Sequence, residues 1–192
     1  IHTELFSDGV IDLVEQGVLT GARKSIHPGK MIAGFIIGSR KLYDWVDDNP
    51  LIELHPTEYV NDPFTVAQND RMVAINSAIE VDLTGQVNAE QSGEHYLGGT
   101  GGQVEFVRAG TRSPGGPSII ALPATAKAGK ISRITVNRSG PVTTARSDVD
   151  VIVTEFGAAE LRGQSLAERT RRMVAIAHPD FREELDRAAH II

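Results

Sequence analysis

Residues 72–90 read M-V-A-I-N-S-A-I-E-V-D-L-T-G-Q-V-N-A-E, and residues 98–106 read G-G-T-G-G-Q-V-E-F. These two segments decide the fold. Apolar residues recur through Met72–Leu83, which predicts a β-strand. The Thr84-Gly85 pair that follows predicts a turn, after which the chain returns beside this strand. The first segment is therefore expected to be a hairpin with several polar residues that need hydrogen-bonding partners.

The second segment contains four glycines in five positions, namely Gly98, Gly99, Gly101 and Gly102, just before an amphipathic stretch. Glycine permits positive φ and lets backbone N–H groups approach a ligand closely. Free N–H groups at the start of a helix favour an oxygen anion. A flexible hairpin tip is the other interpretation, and a glycine cluster alone does not decide between them.

Composition restricts the classes of function. A chain of 192 residues with 41% hydrophobic content can bury a core, which favours one domain. A net charge of −6 without a basic stripe argues against nucleic-acid binding, although local basic groups could hold one small phosphorylated ligand. The absence of cysteine excludes disulfides and thiolate catalysis. No apolar run reaches the ~20 residues of a membrane span, and the six histidines show no metal-ligand spacing, so no metal site is predicted.

Other apolar runs predict buried strands at Ile32–Ile37, Ser118–Leu122 and Val149–Val153. Helical patterns alternate with them, so we expect an α/β fold with a layered, largely parallel sheet flanked by helices. Antiparallel additions are expected around Met72–Glu94. The predicted helices are Val10–Gln16, Arg40–Val46, Pro63–Gln68, a helix through Phe106–Ala109, Ser165–Ala177 and Phe181–Ala189.

Four polar residues lie near the predicted ends of elements. Glu4 is expected in a loop or at a strand end, and Asn61 at a strand-to-helix junction, where α/β folds often bind ligands. Lys127 lies in a small-residue loop and could pair with a phosphate or a carboxylate. Glu155 follows a buried strand at its carboxyl end. Taken singly, Glu4 also fits a solvated carboxylate and Lys127 an exposed lysine.

Seven segments in chain order together resemble one family. They are HTELFSDG (2–9), YVNDP (59–63), INSAIEVDLTGQV (75–87), GTGGQVEF (99–106), TAKAGKISRI (125–134), VTEFGAAELRG (153–163) and AHPDFR (177–182). The resemblance is to the C-terminal domain of the acetyl-CoA hydrolase/transferase family, which includes the 4-hydroxybutyrate, butyryl and succinyl coenzyme A transferases. It covers essentially the whole chain.

That resemblance implies a coenzyme A transferase-like (NagB/RpiA-like) fold. The sequence begins abruptly at Ile1, and the N-terminal half of the family has no counterpart in it. Residues 1–192 are accordingly expected to be a single domain, the C-terminal half of a longer polypeptide. The implied partners are that N-terminal half, acyl-CoA and small carboxylates, with neither nucleic acid nor a membrane. The resemblance leaves homo-oligomer formation open and implies a cytoplasmic enzyme without a permanently bound cofactor.

The resemblance also implies a mechanism, in which a glutamate attacks the acyl-CoA thioester and is converted, through an acyl-glutamyl anhydride, to a glutamyl-CoA thioester. Motif matching assigns Glu4 as this nucleophile and the backbone amide of Gly102 to the oxyanion hole. The implied substrates are a short-chain acyl-CoA, such as acetyl-, butyryl- or 4-hydroxybutyryl-CoA, and a carboxylate such as acetate. The residues matched to substrate or CoA binding are Asn61, Gly99, Gly101, Lys127 and Glu155.

Three alternatives stay open at this point. Glu80 competes with Glu4, because it alternates with Asp82 and paired carboxylates can perform acid–base catalysis. Acyl-CoA hydrolysis would result if water replaced the second carboxylate. A non-catalytic CoA-binding or assembly domain is the alternative outside the enzyme class.

Overall fold

The computed structural model describes residues 1–136 and 140–189 as a mixed α/β structure. The helices in these residues are α1 (Gly9–Glu15), α2 (Arg40–Val46), α3 (Thr57–Val60), α4 (Pro63–Ala67), α5 (Gln103–Arg112), α6 (Leu166–Ala175) and α7 (Pro179–Ala189). The strands are β1 (His2–Phe6), β2 (Met31–Ile36), β3 (Ile52–Leu54), β4 (Ala74–Ser77), β5 (Glu80–Asp82), β6 (Val87–Asn88), β7 (Gln91–Ser92), β8 (His95–Tyr96), β9 (Ser118–Ala121), β10 (Thr125–Ala126), β11 (Ile131–Ser132), β12 (Ile134–Thr135), β13 (Val151–Thr154) and β14 (Gly157–Glu160). None of the helices in these residues combines the length and hydropathy that crossing a bilayer requires.

Parallel strand pairs occur in three sheets of the described residues. One sheet has the order β1-β2-β3 with both pairs parallel. A second has the order β14-β13-β9-β4, in which β4, β9 and β13 run parallel and β14 pairs antiparallel with β13. The third sheet has the order β12-β5-β6, in which β12 runs parallel to β5. Antiparallel pairs form the hairpins β5-β6, β7-β8 and β10-β11. The expected α/β class is confirmed, and the parallel pairing is divided among several sheets.

Strand positions follow the sequence pattern at three places and depart from it at one. The predicted strands Ile32–Ile37, Ser118–Leu122 and Val149–Val153 correspond to β2, β9 and β13. The single strand predicted over Met72–Leu83 is wrong, because the chain breaks between β4 and β5 and its two halves join different sheets. β4 pairs with β9, whereas β5 pairs with β12 and β6.

The turn predicted at Thr84-Gly85 is confirmed and connects β5 to β6. Gly85 has φ = +93°, which glycine adopts without steric cost. The Asp82 carboxylate accepts hydrogen bonds from the backbone N–H groups of Thr84 and Gln86 at 2.9 and 3.0 Å. The Asp82 carboxylate is therefore paired within its own hairpin.

One hydrophobic cluster joins two of the sheets. Its buried members come from β2, α3, α4, β4 and α5, and they are Ile32, Val60, Val66, Ala74, Phe106 and Ala109. Each large apolar side chain buried in this way stabilises the fold by about 1.5–3 kcal/mol. Because Ile32 belongs to β2 and Ala74 to β4, this cluster packs the sheet β1-β2-β3 against the sheet that contains β4.

Candidate active site

Glu4 lies in the middle of β1, and its side chain is partly buried. The prediction of a loop or strand-end position is wrong, because β1 pairs with β2 along its length, from His2 opposite Ile32 to Phe6 opposite Ile36. Alternation along a strand places every second side chain on the same face. His2 and Phe6 are buried on the face that they share with Glu4, so the carboxylate points toward the interior side of the strand.

Asn61 holds one oxygen of this carboxylate. Its Nδ2 donates to Glu4 Oε2 at 2.5 Å. The predicted strand-to-helix position of Asn61 is wrong, because the short helix α3 comes between β3 and this residue, and Asn61 ends that helix. Asp62 follows as the N-cap of α4, and its carboxylate accepts from the backbone N–H of Thr65 at 2.9 Å. Asn61 is therefore fixed between two helices.

Gly102 lies against both Glu4 and Asn61, and these three residues form the candidate catalytic group. It is the N-cap of α5 and it is buried. A Cβ atom at this position would collide with Glu4 Oε2 and with the amide of Asn61. Only glycine allows this close approach between the backbone at the start of α5 and the carboxylate. The N-terminus of α5 also carries the partial positive charge of the helix dipole, which favours an anion there.

Gln103 anchors the start of α5, and the sequence analysis did not identify it. Its side chain is 9% exposed. Its Nε2 donates to the carbonyl oxygen of Ser77 at 2.7 Å, and its Oε1 accepts from Thr144 Oγ1 at 2.9 Å. These bonds tie the first turn of α5 to the end of β4. The only signal in the sequence that could have identified Gln103 was its position directly after the glycine cluster.

A cleft of about 650 Å³ lies beside this group. It is lined by residues from β1, by residues 72–76 around β4, and by Gly102, Gln103 and Phe106 from the start of α5. β1 is an edge strand of its sheet and β4 is an edge strand of the sheet β14-β13-β9-β4, so the cleft lies between the edges of two sheets.

His2 is buried beside the site, where it contacts Val60 and Phe106. Its Nε2 hydrogen-bonds with the carbonyl oxygen of Val60 at 2.9 Å, and its ring lies edge-on to Phe106. Burial lowers the pKa of His2 to about 4, against the opposing effect of the bond to the Val60 carbonyl, so the imidazole is neutral at pH 7. Its Nε2 therefore carries a proton and donates to Val60, directly before Asn61.

The lowered pKa of His2 predicts acid destabilisation. Unfolding restores an ordinary pKa of 6.5, so the unfolded state binds the proton first as the pH falls from 6.5 toward 4. This linkage removes at most about 3 kcal/mol of stability. A His2→Gln variant keeps a donor for Val60 but does not titrate. Urea unfolding between pH 7 and pH 4 should therefore show a shallower loss of stability in the variant, and parallel curves would contradict this account.

The remaining matched residues lie at varying distances from this group. Gly101 has φ = +54°, and a Cβ on it would lie 3.9 Å from Glu4 Oε1. Gly99 is exposed in the loop before α5. Lys127 is exposed in the turn between β10 and β11, with φ = +50°. Glu155 follows β13, and its Oε2 accepts from the backbone N–H of Ala124 at 2.8 Å, a bond that lowers the pKa of this carboxyl. Neither Lys127 nor Glu155 lines the cleft beside Glu4.

Glu80 lies in a different setting. It is 9% exposed on β5, and its Oε1 accepts from Asn88 Nδ2 at 3.1 Å across the hairpin. It is not among the residues that line the cleft beside Glu4.

The sequence analysis predicted no metal site. The structure nevertheless brings together three side chains that could hold a metal ion, namely His27, Glu53 and His55.

Comparison with protein-family models matches residues 38–189 to the acetyl-CoA hydrolase/transferase C-terminal domain. The 4-hydroxybutyrate coenzyme A transferase of Clostridium kluyveri is 49% identical over 187 residues, which cover 96% of this chain. The succinyl-CoA:cyclohexane-1-carboxylate CoA transferase of Geobacter metallireducens is 49% identical over 191 residues, which cover 98% of it.

Solved structures show the same relationship. RipA from Yersinia pestis superposes with a TM-score of 0.91 at 46% identity, covering 100% of this chain and 42% of that one. The chain spans 44% of the length of each of the two curated relatives above.

Proposed function

This chain belongs to the acetyl-CoA hydrolase/transferase family, and on that premise we propose that residues 1–192 form a single domain, the C-terminal half of an acyl-CoA:carboxylate CoA-transferase. Glu4 is the covalent nucleophile of the proposed reaction. The family match and the names of the similar proteins support the transferase class. The contact of Asn61 Nδ2 with Glu4 Oε2, beside the start of α5, is the observation that supports the role of Glu4.

In the proposed first step, a Glu4 oxygen attacks the carbonyl carbon of the acyl-CoA thioester. The carbon–sulfur bond breaks, so the CoA thiolate departs and an acyl-glutamyl anhydride forms. The thiolate then attacks the glutamyl carbonyl carbon, which releases the first carboxylate and leaves a glutamyl-CoA thioester. A second carboxylate reverses both steps. Covalent catalysis of this kind divides one difficult exchange into easier ones.

The hydrogen bond from Asn61 suits both roles of the carboxylate. While Oε2 is held by Asn61, Oε1 is the oxygen that attacks the thioester. When the thiolate attacks the glutamyl carbon, negative charge develops on a glutamyl oxygen, and a donor already contacts Oε2. The N-terminus of α5, with the backbone amide of Gly102, adds oxyanion stabilisation. One such donor typically lowers the barrier by ~2.7–4 kcal/mol.

The other matched residues are proposed to contact CoA or substrate. Gly99 and Gly101 contribute the backbone of the loop that leads to α5. Lys127 pairs with a phosphate or carboxylate, and Glu155 accepts from a hydroxyl or amide of CoA. The proposed enzyme acts in the cytoplasm on short-chain acyl-CoA and carboxylates without a permanently bound cofactor. The N-terminal half of the polypeptide completes its site.

An Asn61→Ala substitution should slow transfer by roughly 10- to 100-fold, since hydrogen bonds to charged groups contribute about 1.5–3 kcal/mol. The loss should appear in kcat, because the donor acts on the glutamyl oxygen during the covalent steps. Steady-state kinetics of the full-length protein measure it. Asn61→Asp should be at least as slow, because it places a second carboxylate against Glu4. An unchanged kcat in both variants would remove Asn61 from the mechanism.

One assay separates the proposed activity from its two alternatives. The full-length protein is mixed with acetyl-CoA and butyrate, and mass spectrometry follows the CoA species. A transferase forms butyryl-CoA, and the signal depends on butyrate. A hydrolase releases free CoA at the same rate without butyrate, which would contradict the transferase proposal. Release of neither product would favour the non-catalytic binding or assembly domain.

A further inference from the structure

A cluster of metal-ligand side chains lies outside the proposed catalytic group. His27 belongs to the connection between α1 and β2, Glu53 lies on β3, and His55 follows that strand. His27 Nδ1 is 2.9 Å from Glu53 Oε2, and His55 Nε2 is 3.3 Å from the same oxygen. One ligand atom from each residue lies within 4.8 Å of the other two. The three side chains are 24–33% exposed, so an ion from solvent can reach them.

We propose that His27 Nδ1, Glu53 Oε2 and His55 Nε2 bind one Zn²⁺ ion, with water as the fourth ligand. Zinc binds histidine nitrogen and carboxylate oxygen at about 2.0–2.2 Å in tetrahedral geometry, which places neighbouring ligand atoms about 3.3 Å apart. The distance of 3.3 Å between His55 Nε2 and Glu53 Oε2 matches this spacing, whereas the distance of 2.9 Å between His27 Nδ1 and the same oxygen has to lengthen when the ion binds. Two imidazoles and one carboxylate suit zinc, whereas Mg²⁺ and Ca²⁺ favour sites made of oxygen ligands.

The groups around the cluster fit the second layer of a metal site. His27 Nε2 lies 2.7 Å from the hydroxyl oxygen of Tyr59. With Nδ1 on the metal, Nε2 carries the proton and donates to Tyr59, as the outer nitrogen of a metal-bound histidine does in most sites. Lys30 Nζ lies 3.7 Å from Glu53 Oε1, which leaves Oε2 for the ion. The positive charge of Lys30 weakens cation binding, so the affinity should lie below that of four-ligand sites.

The same three side chains can instead bond only to each other. In that arrangement both imidazoles donate N–H hydrogen bonds to Glu53 Oε2, and no ion is needed. The two arrangements differ in their protons, because zinc requires both ligating nitrogens to be deprotonated. His27 also has φ = +48°, an uncommon conformation for a residue other than glycine.

The proposed ion would connect the segment before β2 to the junction between β3 and α3. Tyr59, which contacts His27, belongs to α3. Asn61 ends that helix and contacts Glu4. The ion would therefore stabilise the helix that positions Asn61, without contacting the cleft itself.

Zinc titration of the full-length protein tests this site. The protein is prepared without a histidine tag, treated with a chelator and dialysed, and Zn²⁺ binding is measured by calorimetry. We expect one equivalent to bind, a rise in the midpoint of thermal unfolding, and no response to Mg²⁺. His55→Gln should bind at least 100-fold more weakly, and Tyr59→Phe roughly 10-fold more weakly. His95→Gln changes an exposed histidine on β8, outside the cluster, and should bind like the wild type.

Cobalt substitution provides a readout that does not depend on any variant folding correctly. Co²⁺ in the wild-type protein should give the intense visible absorption of tetrahedral coordination, and Zn²⁺ should displace it at one equivalent. Absence of stoichiometric Zn²⁺ binding, an octahedral Co²⁺ spectrum, or equal Zn²⁺ affinity in His55→Gln would each overturn the proposal. The three side chains would then form only the hydrogen-bonded cluster.

Discussion

Replacing Glu4 with glutamine is expected to abolish CoA transfer while leaving the protein folded. The glutamine side chain would keep the shape of the glutamate, and its carbonyl oxygen can still accept from Asn61 Nδ2. Its amide is a poor nucleophile, so the covalent route is lost. Loss of a catalytic nucleophile costs roughly 10⁴-fold or more in kcat. Steady-state assays of the full-length protein, with circular dichroism as a folding check, measure the effect.

Two further substitutions at this position make the test sharper. Glu4→Asp keeps a carboxylate but withdraws it from the cleft, and a misplacement of about 1 Å can cost 10²-fold in rate. Glu4→Ala should be as inactive as Glu4→Gln, but it leaves the amide of Asn61 without its acceptor. An unsatisfied buried donor costs about 1–3 kcal/mol, so this variant needs a stability measurement beside its activity. Full activity in Glu4→Ala would exclude covalent catalysis by this residue.

Gly102→Ala is expected to have the second largest effect. The new methyl group would collide with Glu4 Oε2 and with the amide of Asn61, so the carboxylate or the start of α5 must move. Displacing one oxyanion donor costs ~2.7–4 kcal/mol, or about 10²–10³-fold in kcat. The loss should appear mainly in kcat, since the affected contacts act on the reacting atoms.

The matched control is Gly98→Ala in the same glycine cluster. A Cβ at this position meets no atom within 4 Å, and its φ lies outside the left-handed region. Its kcat should therefore stay within about twofold of the wild type, because the substitution adds neither a clash nor strain at the site. Equal rates in the Gly98 and Gly102 variants would contradict the proposed role of the α5 N-terminus.

The sequence pattern predicted local structure better than it predicted pairing. The strands β2, β9 and β13 consist mainly of apolar residues, and the turn at Gly85 favours a glycine, so each has a local signal in the sequence. The change of partner between β4 and β5 has none, because apolar residues continue through the break. Strand pairing depends on distant segments, which a local pattern does not contain.

In the candidate site too, contacts between residues that are distant in the sequence could not be predicted from local patterns. Glu4 and Asn61 are 57 positions apart, and no periodicity connects them. The residue pattern marked each of them separately as a candidate, and only the family resemblance assigned both to one site. Gln103 was missed because its two partners, Ser77 and Thr144, become neighbours only in the folded chain. The cluster of His27, Glu53 and His55 was missed for a similar reason, because His27 is far from the other two residues in the sequence.

Chemical capture of the glutamyl-CoA thioester tests the central proposal most directly. Borohydride added to the full-length protein with acyl-CoA reduces a glutamyl thioester to the alcohol, which mass spectrometry detects as a mass loss on one peptide. The proposed mechanism places that loss on the peptide that contains Glu4, only when acyl-CoA is present, and removes it in Glu4→Gln. A mass loss on the peptide that contains Glu80, or none under turnover conditions, would contradict Glu4 as the nucleophile.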